Sequence, residues 1–123
     1  MKGIDKGKAF ERLIANKFTE ALGIECKREL AQSRGGSEGP DIGVPNWWIE
    51  CKHRDHVDVK KSLIQAGNDA SGTNRRPAVV YRVTGARSIR VALYDPAWCA
   101  IVEMDLDPFL AHLGRNSVTS NSK

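Results

Sequence analysis

The stretch Pro40-Asp-Ile-Gly-Val-Pro-Asn-Trp-Trp-Ile-Glu-Cys-Lys52 contains two short apolar runs separated by a Pro45-Asn46 turn signal. This pattern predicts a β-hairpin with strands at roughly 41–44 and 47–52. Asp41 opens the first strand and Glu50 lies near the end of the second, so the hairpin should bring the two carboxylates together. Because strand side chains alternate, Glu50 and Lys52 should face one way and Cys51 the other.

Two carboxylates gathered on one face indicate a cation, because they repel each other unless a positive charge lies between them. Their hard oxygen atoms suit Mg²⁺ or Mn²⁺. Such an ion would polarise a phosphodiester oxygen and lower the pKa of a bound water, and Lys52 could orient that water or stabilise charge on the phosphate. The alternative is a surface pair of Glu50 and Lys52. The apolar residues around them favour a core hairpin, and therefore a phosphodiester-hydrolysing site.

The chain before the hairpin predicts one helix, one strand and one loop. Residues 5–22 form an amphipathic pattern, with Asp5 as N-cap and Gly23 as the stop. Its apolar positions at helical spacing are Phe10, Leu13, Ile14, Phe18 and Ala21. Residues 24–30 predict a strand, and the small polar residues 31–39 predict a loop.

The chain after the hairpin predicts further helices and strands of the same sheet. The helices are predicted at 58–70 and 106–113, and the strands at 78–83, 89–94 and 99–103. The order α-β-β-β-α-β-β-β-α is typical of an α/β fold with a mixed β-sheet flanked by helices. We expect one domain over residues 1–113 and a flexible C-terminal tail over 114–123.

Composition and charge narrow the class of protein. Hydrophobic residues make up 41% and charged residues 28% of the chain, which is typical of a globular domain. No apolar run approaches 18 residues and the N-terminus lacks a signal core, so we expect a cytoplasmic protein without membrane contact. Three cysteines without regular spacing indicate reduced thiols. Residues 1–90 carry 17 Lys/Arg against 11 Asp/Glu, which suits a polyanionic partner such as nucleic acid.

The motif PDI-x7-ECK at residues 40–52 resembles the signature of the PD-(D/E)XK nuclease superfamily. The helix start Gly7-Lys-Ala-Phe-Glu-Arg12 resembles the archaeal-type Holliday junction resolvases, which phages also encode. That family continues with an arginine-containing strand and a serine-glycine loop, where Arg28 and Ser33-Arg34-Gly35 stand here. The resemblance covers about residues 6–66.

The resemblance implies a restriction-endonuclease-like core and a homodimeric enzyme that cuts four-way DNA junctions with Mg²⁺, for which Mn²⁺ would substitute. A phage-encoded member would act in the host cytoplasm. Asp41 and Glu50 would hold the metal together with the Cys51 carbonyl, and Glu11 would support it directly or through water. Lys52 would assist the attacking water. Ser33 best matches the family's loop serine, which acts at the scissile phosphate. Here the pattern departs from the family, because the loop offers a second candidate, Ser37, and an extra arginine.

Gln65, on the helix after Lys52, matches a glutamine that touches the site in many nucleases of this superfamily; an exposed polar residue is the alternative. Side chains that could contact DNA phosphates are Lys6, Lys8, Arg12, Arg28, Arg34, Arg54, Lys60, Lys61, Arg75 and Arg76. The adjacent tryptophans at 47 and 48 should point to opposite faces, one into the core and the other into a second core layer, a dimer interface or a stacked base.

Three other readings of the sequence were weighed. A zinc site at Cys51, His53 and His56 is disfavoured, because a fourth ligand is missing. A restriction-like, flap or end-processing nuclease on the same scaffold stays open. So does a non-catalytic DNA-binding module that has kept the fold, although such a module has no need of clustered carboxylates facing an anion.

Overall fold

The computed structural model describes residues 2–29 and 39–121, and within them a five-stranded mixed sheet flanked by helices. The elements follow in the order α1 (Lys2–Leu22), β1 (Ile42–Val44), β2 (Trp47–Arg54), α2 (Val59–Ala70), β3 (Arg76–Val83), β4 (Arg90–Asp95), β5 (Ala100–Asp105) and α3 (Leu106–Asn121). The strands lie in the order β1-β2-β3-β4-β5. Only the β2–β3 pair is parallel, with α2 as its crossover. This confirms the predicted α/β fold class.

The sheet separates two hydrophobic cores. One lies between the sheet and the helices α1 and α3, and the other lies beneath α2. Trp47 belongs to the first core and Trp48 to the second, and both are buried. The predicted opposite orientation of the tryptophans is confirmed, and the second one packs in a second core layer.

Helix α1 buries the predicted apolar stripe through Phe10, Ile14 and Phe18. The predicted start is wrong, because α1 begins at Lys2 and Asp5 therefore lies inside the helix instead of capping it. The predicted end is confirmed. Gly23 adopts φ +71°, a conformation natural to glycine, and its N–H donates to the Thr19 carbonyl over 2.9 Å.

The predicted strand at 24–30 is reduced, over its described residues, to one antiparallel bridge between Arg28 and Ile42. Two backbone hydrogen bonds flank it, from Glu29 N to Asp41 O and from Gly43 N to Lys27 O, both 2.9 Å long. The segment therefore runs beside β1. Its pairing is short because β1 itself spans only three residues.

Helices α2 and α3 differ in how well their ends were predicted. Asp58 caps α2 by accepting a hydrogen bond from Lys61 N over 3.0 Å, which confirms the predicted start. Helix α3 begins at Leu106 as predicted but continues to Asn121 instead of ending at Leu113. Flexibility of the last ten residues stays a prediction.

Two further sequence expectations concern the membrane and the thiols. None of the helices in the described ranges is long and apolar enough to cross a bilayer. All three cysteines are free thiols: Cys26 is buried, Cys51 is half-buried and Cys99 is exposed.

Candidate active site

The β1–β2 hairpin fixes Asp41 against the middle of β2. Its backbone N–H donates to the Ile49 carbonyl over 2.9 Å, and its carboxylate Oδ2 accepts from the Cys51 N–H over 2.7 Å. A hydrogen bond to a carboxylate is stronger than one between neutral groups, so this contact orients the side chain. The Asp41 carboxylate thus lies beside the peptide that joins Glu50 to Cys51.

Glu50 projects from β2 toward the core beneath α2. Its Oε1 accepts a hydrogen bond of 3.1 Å from the indole Nε1–H of Trp48, which is buried in that core. Cys51 packs against the opposite core. The predicted alternation along β2 is therefore confirmed, and Lys52, two residues after Glu50, follows it on the α2 side of the sheet.

Burial raises the pKa of both carboxyl groups. The pKa of Asp41 rises from 3.8 to about 6, mainly through burial and then through the charge of Glu11, and it is partly offset by the Cys51 N–H and by Lys52. The pKa of Glu50 rises from 4.5 to about 7, through burial and then through the charges of Asp41 and Asp69. A cation placed between two such groups would restore their charged forms.

Glu11 reaches this site from α1 as one half of an ion pair. Arg28 Nε donates to Glu11 Oε1 over 2.8 Å, and the two side chains are only 23% and 22% exposed. Both charges act on Asp41, where Glu11 raises the pKa and Arg28 lowers it. The bridge between Arg28 and Ile42 brings the arginine to the edge of the sheet, next to Asp41.

The two carboxylates can hold a hard cation, although few protein side chains would coordinate it. Among the described residues, no three His, Cys, Asp or Glu side chains converge closely enough to bind a metal ion. Asp41 Oδ1 and Glu50 Oε2 each accept no hydrogen bond from the described part of the chain, so one oxygen of each group is open. Mg²⁺ keeps several waters and needs only one or two carboxylates, and these two therefore fit it.

The structure does not bring Gln65 into contact with Asp41 or Glu50. Its side chain is exposed, and its Nε2 donates to Asp69 Oδ1 over 3.0 Å. Asp69, one turn further along α2, is the group whose charge acts on Glu50. Sequence reasoning missed Asp69; its spacing of four residues from Gln65 on a helix was the available signal.

The remaining predicted residues are spread over the molecule. Lys8, Arg12, Arg54 and Lys60 are exposed on α1, at the end of β2 and on α2. Ser33 and Arg34, with the alternative Ser37, lie outside the described residues.

Arg75 and Arg76 lie at the start of β3, where they contact Glu29 and Trp47. Arg75 Nη1 is 3.9 Å from Glu29 Oε2. Arg76 lies over the Trp47 ring, 4.8 Å from its centroid, and pairs in register with Trp47. Glu50 is three residues further along β2, so Arg76 is roughly 10 Å from the nearest carboxylate residue of the candidate site along the strands. A groove of about 780 Å³ opens beside Arg76 and is lined by Trp47, Leu93 and Phe109, so it is distinct from the carboxylate site.

Comparison with known protein families shows which family the chain belongs to. A family described as "Phage putative PDDEXK endonuclease" matches residues 2–116. The chain belongs to this family. As a PDDEXK endonuclease family member it is a nuclease of the PD-(D/E)XK superfamily, which confirms the coarser prediction from sequence. No curated protein and no solved structure matches it. For this PDDEXK chain the finer prediction, a Holliday junction resolvase, stays a proposal.

Proposed function

We propose that this protein is a Mg²⁺-dependent, structure-selective DNA endonuclease that resolves four-way Holliday junctions by hydrolysing phosphodiester bonds. One observation carries the proposal: Asp41 and Glu50 meet at the β1–β2 hairpin with Lys52 beside them, and burial raises the pKa of both carboxyl groups. Membership of an endonuclease family supports the nuclease part. The basic body of the chain supports a nucleic acid substrate.

Asp41 Oδ1 and Glu50 Oε2, with the Cys51 carbonyl, would hold the metal ion. When bound, the ion supplies Lewis acidity toward a phosphodiester oxygen and lowers the pKa of a water. The Lys52 ammonium orients the attacking water and stabilises negative charge that develops on the phosphate. Glu11 supports the site through water while Arg28 holds one of its oxygens.

The neighbours of the two carboxylates fix their positions before substrate arrives. The Cys51 N–H holds Asp41, and the indole of the buried Trp48 holds Glu50. Both donors belong to β2, which is paired on both sides within the sheet. Groups held on a rigid element need little reorganisation during the reaction, which favours catalysis.

A four-way junction carries two equivalent strands to cut, and a two-fold homodimer presents two identical sites to them. We therefore propose a homodimer that recognises junction shape through phosphate contacts. The proposed phosphate contacts are those expected from sequence at Lys8, Arg12, Arg28, Arg34, Arg54, Lys60, Arg75 and Arg76. Sedimentation of the free protein at micromolar concentration should give the mass of two chains, and the mass of one chain would contradict the dimer.

The function is tested by cleavage of a synthetic immobile junction, a linear duplex and a flap of related sequence. We expect cutting of the junction with Mg²⁺ or Mn²⁺ and none with EDTA. Glu50→Gln and Lys52→Ala should each lower the rate by about 10²-fold or more. Glu20→Gln, a matched change on the exposed face of α1, should leave the rate unchanged. Equal cutting of the linear duplex would contradict junction selectivity and favour the restriction-like alternative.

The Asp41→Asn variant distinguishes a nuclease from a non-catalytic DNA-binding module. We expect this variant to lose Mg²⁺-dependent cutting while junction binding is kept or tightened, because a negative charge that faces phosphate is removed. Binding is measured by fluorescence anisotropy with a labelled junction. A wild-type protein that binds junctions but cuts no substrate with any divalent metal would favour the binding module.

A further inference from the structure

Three basic side chains, two of them in contact with the ring of Phe10, lie at the ends of β2 and β3; we name Lys6, His53 and Arg82 the basic cluster. The His53 ring packs on Phe10 with a centroid distance of 5.1 Å, and the Arg82 guanidinium lies 5.9 Å from the centroid of the same ring. His53 and Arg82 are register partners in the parallel β2–β3 pair. Lys6 reaches the same end of the sheet from α1, where its ammonium donates to the Thr84 hydroxyl.

The positive charge of the basic cluster is not balanced within the described part of the chain. Arg82 makes no ion pair there. The acid near Lys6 is Asp55, 3.7 Å away, and its side chain is 91% exposed, so water screens the pair. Lys6 and Arg82 carry like charges at the same end of the sheet, and a bound anion would offset their repulsion.

The basic cluster borders the candidate active site on two elements. On β2, His53 directly follows Lys52, and on α1, Phe10 directly precedes Glu11. Consecutive residues are 3.8 Å apart at their Cα atoms, so the cluster adjoins the candidate site along the chain at Lys52 and Glu11. His53 faces the α1 side of the sheet whereas Lys52 faces the α2 side. A ligand that touches both sites must cross the end of β2.

We propose that the basic cluster binds a phosphate group of the DNA strand, separate from the phosphate that is cut and next to it along the path of the bound strand. This proposal rests on the proposed DNA substrate. Arg82 offers a planar fork of donors that matches two phosphate oxygens, and Lys6 adds a point charge. Phe10, only 3% exposed, forms the apolar floor that holds Arg82 in place. The sequence alone had offered Lys6 as a phosphate contact, but neither Arg82 nor His53.

The test measures junction binding in EDTA, without cutting, over a series of salt concentrations. The double variant Lys6→Ala/Arg82→Gln should lower the slope of log affinity against log salt by about one, because one phosphate contact is lost. Between 50 and 200 mM salt it should therefore lose about three- to fourfold less affinity than the wild type. Arg82→Lys keeps the charge and should keep most of the slope.

Arg115→Gln is the matched control for charge removal. Its neighbour Gly114 lies beside Ala21 near the C-terminal end of α1, about 22 Å along the helix from Lys6. We expect this variant to keep the wild-type slope. A double variant with an unchanged melting temperature and an unchanged slope would overturn the proposal, as would an equal loss in Arg115→Gln.

A scan with single neutral methylphosphonates locates the contact. A methylphosphonate at one position near the cut should weaken junction binding by the wild type. It should not further weaken binding by the Arg82→Gln variant, because the two changes remove the same interaction. Additive losses at every position would contradict the contact. The two proposals fail in different ways. If the basic cluster does not bind phosphate, the wild-type protein still cuts the junction; if the proposed function is wrong, the wild-type protein does not cut it.

Discussion

At the residue scale, the carboxylates of Asp41 and Glu50 are hydrogen-bonded in the same way. Each gives one carboxylate oxygen to a donor on β2 and leaves the other without a hydrogen bond from the described residues. The pKa values of about 6 and about 7 mean that the metal-free groups are partly protonated near neutral pH. A metal ion that binds them must therefore displace protons.

The first prediction concerns this proton release. Below about pH 7, Mg²⁺ or Mn²⁺ should bind more weakly as the pH falls, and binding should release protons, because the ion needs the charged carboxylates. At pH 8 the release should vanish. Calorimetric titration at pH 6 and pH 8, each in two buffers of different ionisation enthalpy, measures the protons directly. Equal proton release at both pH values would contradict the raised pKa of these groups.

A second prediction separates two roles of Arg28. Arg28 lowers the pKa of Asp41 and pairs with Glu11. Arg28→Gln should therefore raise the pKa of Asp41 further and move the acid limb of the cleavage pH profile to higher pH. Arg12→Gln, a matched change of an exposed arginine on α1, should leave the profile in place. If Arg28 acted only as a phosphate contact, both variants would weaken DNA binding without any shift of the profile.

The residues that sequence could predict at this scale are those placed by local geometry. Asp41, Glu50 and Lys52 follow from a short hairpin and the alternation of strand side chains. Helix packing on the sheet determines the pairing of Glu11 with Arg28 and the position of Asp69. The spacing of apolar residues along the sequence does not encode that packing.

At the element scale, two helical glycines stand in opposite surroundings. A Cβ built at Gly67 in α2 would meet only Pro77 Cγ, at 3.9 Å. A Cβ built at Gly114 in α3 would come within 2.9 Å of the Ala21 carbonyl oxygen, so α1 and α3 approach closely there. The close approach makes glycine necessary at the second position only.

The third prediction uses this contrast. Gly67→Ala should stabilise the protein by about 0.5–1 kcal/mol, because alanine loses less backbone freedom in a helix. Gly114→Ala should destabilise it by about 1–2 kcal/mol, because backbone atoms of two packed helices must separate. Urea unfolding followed by circular dichroism measures both. A gain of similar size in the two variants would show that α1 and α3 do not pack closely at Gly114.

Sequence predicted the elements best where a local signal marks both ends. Asp58 and Gly23 mark boundaries that the structure confirms, because a side-chain cap and a left-handed residue act within one turn. The segment at 24–30 has strand-like residues, but its pairing depends on β1, whose length is limited by the Pro45-Asn46 turn. After Leu113, Gly114 is the one helix-disfavouring signal in the sequence, and the helix continues through it. The end of α3 could therefore not be predicted from helix-breaking residues alone.

At the scale of the whole molecule, the buried carboxyl groups link stability to pH. A group whose pKa is higher in the folded than in the unfolded protein stabilises the fold below the unfolded value, and this contribution is lost as the pH rises through the folded value. For Asp41 and Glu50 that interval runs from about pH 4 to pH 7. The folded, metal-free protein therefore carries a stability cost at neutral pH that a bound cation would offset.

The fourth prediction follows from that link. Without metal, the contribution of these two groups to stability should fall between pH 4 and pH 7. At pH 8, Mg²⁺ should raise the melting temperature. The Asp41→Asn/Glu50→Gln variant should lose less stability over the same interval and gain nothing from Mg²⁺. Calorimetric melting curves provide the measurement, and equal pH dependence in variant and wild type would refute the assignment to these groups.

The unequal exposure of the three thiols has a practical consequence. Burial raises the pKa of Cys26 and also that of Cys51, so both are poor nucleophiles, whereas Cys99 is exposed in the turn between β4 and β5. A maleimide dye should therefore attach at one place in the unaltered chain. Fluorophores at that turn on two differently labelled chains would report subunit exchange in the proposed homodimer by energy transfer.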